Sequence, residues 1–252
     1  MKAETTRAFV LRLIPYGDND RVVELLTRRF GRVAALARGA RRSRRRFGGV
    51  LDYFHLLDVR VRPGRGGMWR LEDVDLVRSF RGAGRTLEAH ACAAHALEVA
   101  RLGTREADPD PALFHLLEAF FPALAWGGDP GCLRRVFQVR ALAALGYALP
   151  VDACPVCGRD PVAAGARVQG SSLRCAPCSG GSGREISPGA LRTLRAAAAA
   201  PADRLGAVRV TARVEGEIGP LLEGALCEAL GARPRTLEAP APIDPLSGTL
   251  LT

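Results

Sequence analysis

Two groups of side chains in this sequence are spaced for chemistry. One is a pair of Cys-x-x-Cys units, Cys154 with Cys157 and Cys175 with Cys178, separated by 17 residues. Two thiolate pairs, each at the tip of a turn, supply four soft ligands in the tetrahedral arrangement that a structural Zn²⁺ takes, and four thiolates leave no open position for water or substrate. Gly158 follows the first pair directly, where the turn beyond a metal knuckle favours positive φ. The other group is the stretch 38–47, RGARRSRRRF, which packs Arg38, Arg41, Arg42, Arg44, Arg45 and Arg46 into ten residues and ends on Phe47. A folded core cannot bury six unpaired guanidinium groups, because each would carry a large desolvation penalty, so the run must face water or a polyanion.

The elements around these groups set how they are held. Residues 7–14, 20–29, 31–40, 56–62 and 68–80 read as short strands. The clearest is 56–62, with Leu57, Val59 and Val61 on one face and Asp58, Arg60 and Arg62 on the other. Five strands in about 80 residues predict a small closed barrel of the OB type, with the arginine run held out as a loop. Beyond residue 85 the period becomes helical. Leu87, Ala91, Ala94 and Leu97 share one predicted face, and Asp110-Pro111, Asp129-Pro130 and Ser187-Pro188 each read as an N-cap followed by proline at the first helical position. The reading is an α+β multidomain chain. It has an N-terminal OB-fold β-barrel over 1–84, an α-helical domain in two parts over 85–150 and 183–232, a four-cysteine zinc-binding module over 151–182, and a loosely ordered C-terminal tail over 233–252. Little apolar residue flanks the cysteines, so the module is expected to need its metal in order to fold.

Charge is distributed unevenly between these parts. Segment 1–85 holds 20 Lys and Arg against 9 Asp and Glu, whereas segment 86–252 holds 16 against 17. The whole excess of positive charge therefore belongs to the barrel, which points to nucleic acid or an anionic surface as its partner. The same segment carries eight of the fourteen aromatic residues. Arginines for phosphates and aromatics for bases are the combination of a single-strand binder, and Phe47 and Tyr53, nearest the arginines, are the stacking candidates.

Other chemistries find less support. Glu72, Asp73 and Asp75 cluster, but no further carboxylate motif joins them for metal-dependent hydrolysis. His90 and His95 are five apart, off a common helical face, and Gly64–Gly67 lacks the Lys-Ser/Thr of a phosphate-binding loop. A non-enzyme is expected, with no catalytic residues. Cys92, Cys132 and Cys227 stand alone in apolar helical patterns and read as core residues. No apolar run approaches the length a bilayer-spanning helix needs, and the N-terminus lacks a signal-peptide layout, so a cytoplasmic protein with no membrane partner is expected.

Several segments resemble one family. DRVVELLT at 20–27, Phe30-Gly31, ARGARRSRRRFGG at 37–49 and GRGGMWRL at 64–71 are similar to the N-terminal half of the RecO recombination mediators. Leu145-Gly146-Tyr147 leading to Cys154-Pro-x-Cys157-Gly158, then Cys175-x-x-Cys178, resembles the junction into that family's zinc module. The resemblance implies an OB-fold, a helical domain and one structural zinc per chain. It implies a repair mediator that binds single- and double-stranded DNA and anneals complementary strands. With RecR, and RecF, such a mediator loads RecA on strands coated by single-stranded DNA-binding protein, whose C-terminal tail it contacts through the helical domain. It places Arg38, Arg41 and Arg42 within the DNA-contacting loop, with Arg44, Arg45, Arg46 and Phe47 beside them. The residues alone leave two alternatives: an RNA-binding OB protein with a zinc ribbon, or an architectural adaptor whose DNA contact is incidental.

Overall fold

Strands form where the alternating pattern places them. The structure, a computed structural model, describes residues 2–43, 47 and 49–238, and of Arg65 only the backbone; Arg44, Arg45, Arg46 and residues 239–252 lie outside the described residues. Five strands, β1 (Glu4–Tyr16), β2 (Asp20–Thr27), β3 (Gly31–Ala37), β4 (His55–Arg62) and β5 (Trp69–Ser79), close into a barrel in the order β1-β2-β3-β5-β4, with β4 pairing back onto β1. This is the order of an OB-fold. β3 and β5 run parallel and touch only at Ala35–Trp69 and Leu36–Arg70. Inward-facing Ala8, Val10, Val23, Leu25, Val33, Leu57, Val59 and Val61 are buried to 1% exposure or less and fill the barrel.

Longer helices build the second body. α1 (Leu87–Gly103), α2 (Pro111–Ala125) and α3 (Pro130–Ala144) come first; a short α4 (Pro161–Ala164) belongs to the cysteine module, and α5 (Pro188–Ala199) and α6 (Ala212–Leu230) complete the body. Each of the long helices begins at a side-chain cap. Asp110 Oδ1 accepts from the Leu113 amide at 2.9 Å, Asp129 Oδ1 from Cys132 at 2.7 Å and Ser187 Oγ from Ala190 at 3.1 Å. Each satisfies an amide that the first turn would leave without a partner. Leu113, Leu116, Leu117, Phe120 and Leu124 bury one face of α2, whereas the face predicted for α1 is displaced. Leu87 is 54% exposed, and the buried side is Ala89, Cys92, Ala93, Ala96, Leu97, Val99 and Ala100. A helix this rich in alanine gives its sides too little contrast for periodicity to orient it.

Barrel and helices meet closely. A Cβ on Gly31, where φ is +65°, would lie 2.1 Å from the Asp108 carbonyl oxygen, so only glycine admits this approach. There the Ala107 amide donates to the Arg32 carbonyl at 2.8 Å and Arg32 Nε to the Thr104 carbonyl at 3.2 Å. Phe9, Leu26, Leu56 and Phe80 of the barrel side join the helical core.

Around α4, the cysteine module carries a sheet ordered β7-β6-β8, from β6 (Ala166–Gln169), β7 (Ser172–Cys175) and β8 (Arg184–Ile186). Its sheet therefore continues past residue 182, where the sequence places its end. Val151, Ala166, Val168, Leu173 and Ile186 are buried and merge with the helical core. The module thus rests on an apolar base shared with the helical body, where the sequence suggests little core beside the cysteines.

The tail also departs from expectation. Residues up to 238 are docked rather than loose, through a short turn at Arg235–Leu237. Glu98 accepts from the Arg235 amide at 3.0 Å, the Thr236 amide at 2.9 Å and the Thr236 hydroxyl at 2.7 Å. Thr236 Oγ, having given its proton to Glu98, accepts from His95 Nδ1 at 2.8 Å, and His95 Nε2 accepts from the Gln138 amide at 3.1 Å. Gln138 Oε1 then accepts from Arg135, which also pairs with Glu215 and Glu223. Polar anchors fix this segment, and they leave no hydrophobic period in the sequence.

Candidate nucleic-acid interface and metal centre

The arginine run leaves the barrel at the end of β3 through a turn stapled to the neighbouring hairpin. Gly39, at φ +68°, donates its amide to Asp20 Oδ1 at 2.7 Å, and the Arg41 amide donates to the Asn19 carbonyl at 3.0 Å. The amides of Arg42 and Ser43 both donate to the Gly39 carbonyl, at 3.1 and 2.8 Å. Asp20 and Asn19 begin β2 and end the β1–β2 turn, so two loops that are distant in sequence are held together. Arg38, Arg41 and Arg42 are exposed on this platform.

The far end of the run is anchored as well. Phe47 is 2% exposed and packs in the barrel core beside Leu51. It therefore does not offer a face for base stacking. Its burial, worth about 2 kcal/mol, ties the loop down. Tyr53 is also committed: it is half-buried, its hydroxyl accepts from the Leu13 amide at 3.1 Å, and burial pushes its pKa up. Nothing local in the sequence signals that this loop returns into the barrel, so both rings read as available until the fold is seen.

Register shows what lies beside the loop. On the outward face of β1, β2 and β3, Phe9, Leu26 and Arg32 form the row against the helices, followed by Arg12, Glu24 and Ala34. The next row is Ile14, Val22 and Leu36, all half-buried, extended by Arg70 of β5 across the parallel pair. Tyr16 and Asp20 form the outermost row, and one step beyond that register lies Arg38. Arg12 and Arg70, both exposed, thus border the same face as the loop. Neither is conspicuous in the sequence; the alternation of β1 read against β2 and β3 is the signal that locates them.

Two arginines of β4 are paired across the β4–β5 ladder. Arg60 lies 3.7 Å from Glu72 and 3.9 Å from Asp73, and Arg62 lies 3.0 Å from Glu72. Glu72 and Asp73 of the acidic cluster are thus partners of the β4 arginines across the β4–β5 pair.

The four cysteines converge. Their Sγ atoms all lie within 4.8 Å of one another, with Cys157 and Cys175 at 3.5 Å, far beyond a disulfide bond. Four thiolates about 2.3 Å from one ion would stand about 3.8 Å apart, so the donor set fits a closed tetrahedral metal site. Cys154 and Cys175 are buried, Cys178 half-buried and Cys157 exposed. The Cys175 amide, reinforced by those of Val156 and Cys157, holds the Cys154 thiol down to about 6. The Arg159 amide lowers Cys157 likewise, whereas Cys178, whose thiol is hydrogen-bonded to Cys157 and Cys175, is pushed up to about 12. Backbone amides thus favour sulfur anions at the first knuckle, where a cation would sit. Gly158, at φ +73°, donates to the Cys154 carbonyl at 2.9 Å and closes that knuckle. Cys92 and Cys132 are buried elsewhere in the helical body, and Cys227 is half-buried.

A groove of about 610 Å³ opens between α5 and the turn at Ala202–Ala207, lined by Arg192, Arg204 and Arg209 together with Ala196, Pro201 and Val208. Among the described residues, no helix is long and apolar enough to cross a membrane.

Comparison with known proteins agrees with this architecture. The family model described as "Recombination protein O N terminal" matches residues 1–80, and "Recombination protein O C terminal" matches residues 84–238. The chain is 43% identical over 194 residues to a DNA repair protein RecO of Anaeromyxobacter sp. (strain K), covering 75% of this chain and 72% of the relative. It is 34% identical over 232 residues to that of Geobacter metallireducens, covering 91% and 93%. It is 33% identical over 239 residues to that of Pelobacter propionicus, covering 94% and 96%. An OB barrel carrying the arginine loop, a helical body and a four-cysteine centre, matched over nearly the whole chain, make this protein a member of the RecO family of DNA repair proteins.

Proposed function

We propose that this chain holds single- and double-stranded DNA by its phosphates, anneals complementary strands and, with RecR and RecF, promotes loading of RecA onto strands coated by single-stranded DNA-binding protein. The observation that carries the reading is the stapled platform: Arg38, Arg41 and Arg42 exposed on a turn locked to the β1–β2 hairpin. Arginine contacts to phosphate hold a strand without reading its sequence, which an annealer requires. Arg44, Arg45 and Arg46 extend the same basic run in sequence. No bond is made or broken by this chain in such a role. It acts in the cytoplasm, on the nucleoid when bound to DNA.

The four-cysteine centre is proposed to hold one Zn²⁺ through Cys154, Cys157, Cys175 and Cys178. Zinc there would neutralise sulfur anions and cross-link the two knuckles; it would supply no catalysis, because all four positions are protein ligands. The arginine-lined groove beside α5 suits the end of a polypeptide, which carries a carboxylate, and is proposed as the seat of the C-terminal tail of single-stranded DNA-binding protein.

The test is annealing of complementary labelled strands pre-coated with single-stranded DNA-binding protein, with and without RecR. The wild-type chain should anneal them and the Arg38→Ala/Arg41→Ala/Arg42→Ala variant should be at least tenfold slower. Equal rates would remove the loop from the mechanism. Measuring affinity for RNA and DNA of one sequence separates this reading from an RNA-binding one.

A further inference from the structure

We propose that Tyr16 is the stacking platform for an unpaired nucleobase beside the arginine loop, a contact that favours single strands over duplex. The inference rests on the proposed DNA contact by that loop and adds to it a residue of different chemistry. Of the eight aromatic residues of the barrel segment, Phe9, Phe47 and Phe80 are buried, Phe30 packs on Trp69 at 5.0 Å, Phe54 contacts His90 and Phe121, and Tyr53 is tied to Leu13. Tyr16 alone among them is largely exposed, at 56%.

Its position is defined rather than incidental. Tyr16 ends β1 opposite Asp20, the residue whose carboxylate holds the Gly39 amide, while Asn19, in the turn between them, holds the Arg41 amide. The ring is thus carried on the same stapled platform as Arg38 and Arg41. The adjoining outward row, Ile14, Val22 and Leu36, gives a half-buried apolar strip along which bases can lie, with Arg12 and Arg70 at its edges. Phosphates on the arginines and a base face on Tyr16 are the two contacts that one nucleotide of a single strand can make together. In a duplex each base is already covered on both faces, so only the phosphate contacts remain.

The experiment measures anisotropy with full-length protein and three labelled probes of equal length: a thymidine oligonucleotide, an abasic strand with the same phosphates, and a duplex. Tyr16→Ala should weaken thymidine-strand binding about 5- to 100-fold. It should leave the abasic strand and the duplex within about twofold, so that the preference of the protein for bases over bare backbone disappears. Tyr16→Phe keeps the ring and should bind as the wild type does. Unchanged thymidine-strand affinity in Tyr16→Ala overturns the inference, and so does an equal loss on all three probes, which would mean that the hairpin itself is damaged. The Arg38→Ala/Arg41→Ala/Arg42→Ala variant run alongside separates the two readings: it should lose affinity for all three probes whatever Tyr16 does, and if it binds normally the loop reading fails by itself.

Discussion

His95 is held neutral by geometry as well as by burial. Its Nδ1 donates to Thr236 and its Nε2 accepts from Gln138, so a second ring proton would point at an amide NH₂. Burial, with Arg134 and Arg135 adding positive charge nearby, lowers its pKa to about 3. The folded state therefore resists a proton that the unfolded chain takes up near 6.5, and the stability tied to His95 is complete above pH 6.5 and is lost as pH falls towards 3. Urea unfolding should show stability falling steadily once the pH drops below that of the free imidazole, at a rate approaching one decade in the unfolding constant per pH unit. The drop between pH 7.5 and 5.0 should shrink in His95→Gln. An identical pH dependence in the variant would place the acid sensitivity elsewhere. At the same scale, Cys154→Ser removes the thiol most favoured as an anion. Purified wild type should carry one zinc per chain and the variant none. Because Val168, Leu173 and Ile186 anchor the module from below, the cost should be partial, about 5–10 °C in Tm with DNA affinity unchanged.

Among the elements, the staple between the β1–β2 turn and the arginine loop sets how the charge is presented. Asp20→Ala removes the acceptor of the Gly39 amide while leaving every arginine in place. Affinity for single strands should fall several-fold, less than when the arginines are removed, and the salt dependence should keep the wild-type slope; a full loss of binding would instead show that Asp20 supports the barrel. The elements themselves were largely legible. Strand alternation at Leu57, Val59 and Val61, and the caps at Asp110, Asp129 and Ser187, are local signals, and the structure places strands and helices on them. Knuckle spacing likewise marks the four cysteines that converge. What stayed hidden depends on tertiary return. Phe47 and Tyr53 face inward because the loop folds back onto the barrel, and Arg235–Leu237 docks through Glu98 and His95, which lie far upstream in the chain. Tyr16, Arg12 and Arg70 become neighbours of the loop only once the strands are in register.

Taken whole, the molecule separates its tasks by charge. Positive excess is confined to segment 1–85, and within the barrel Arg60 and Arg62 of β4 are paired with Glu72 and Asp73. Arg38, Arg41 and Arg42 stand exposed on the stapled turn. The helical body joins the barrel closely through the Gly31 contact and carries the cysteine centre and the arginine-lined groove. If phosphate contacts from the loop dominate DNA affinity, the effect must be sensitive to salt. Its most direct measurement is the salt dependence of single-strand affinity, taken by anisotropy from about 50 to about 300 mM monovalent salt. Each phosphate neutralised contributes roughly −0.7 to the slope of log K against log[salt]. Replacing Arg38, Arg41 and Arg42 together with alanine should make the slope shallower by about 2 and weaken binding at every salt concentration. A slope and affinity equal to those of the wild type would contradict that dominance.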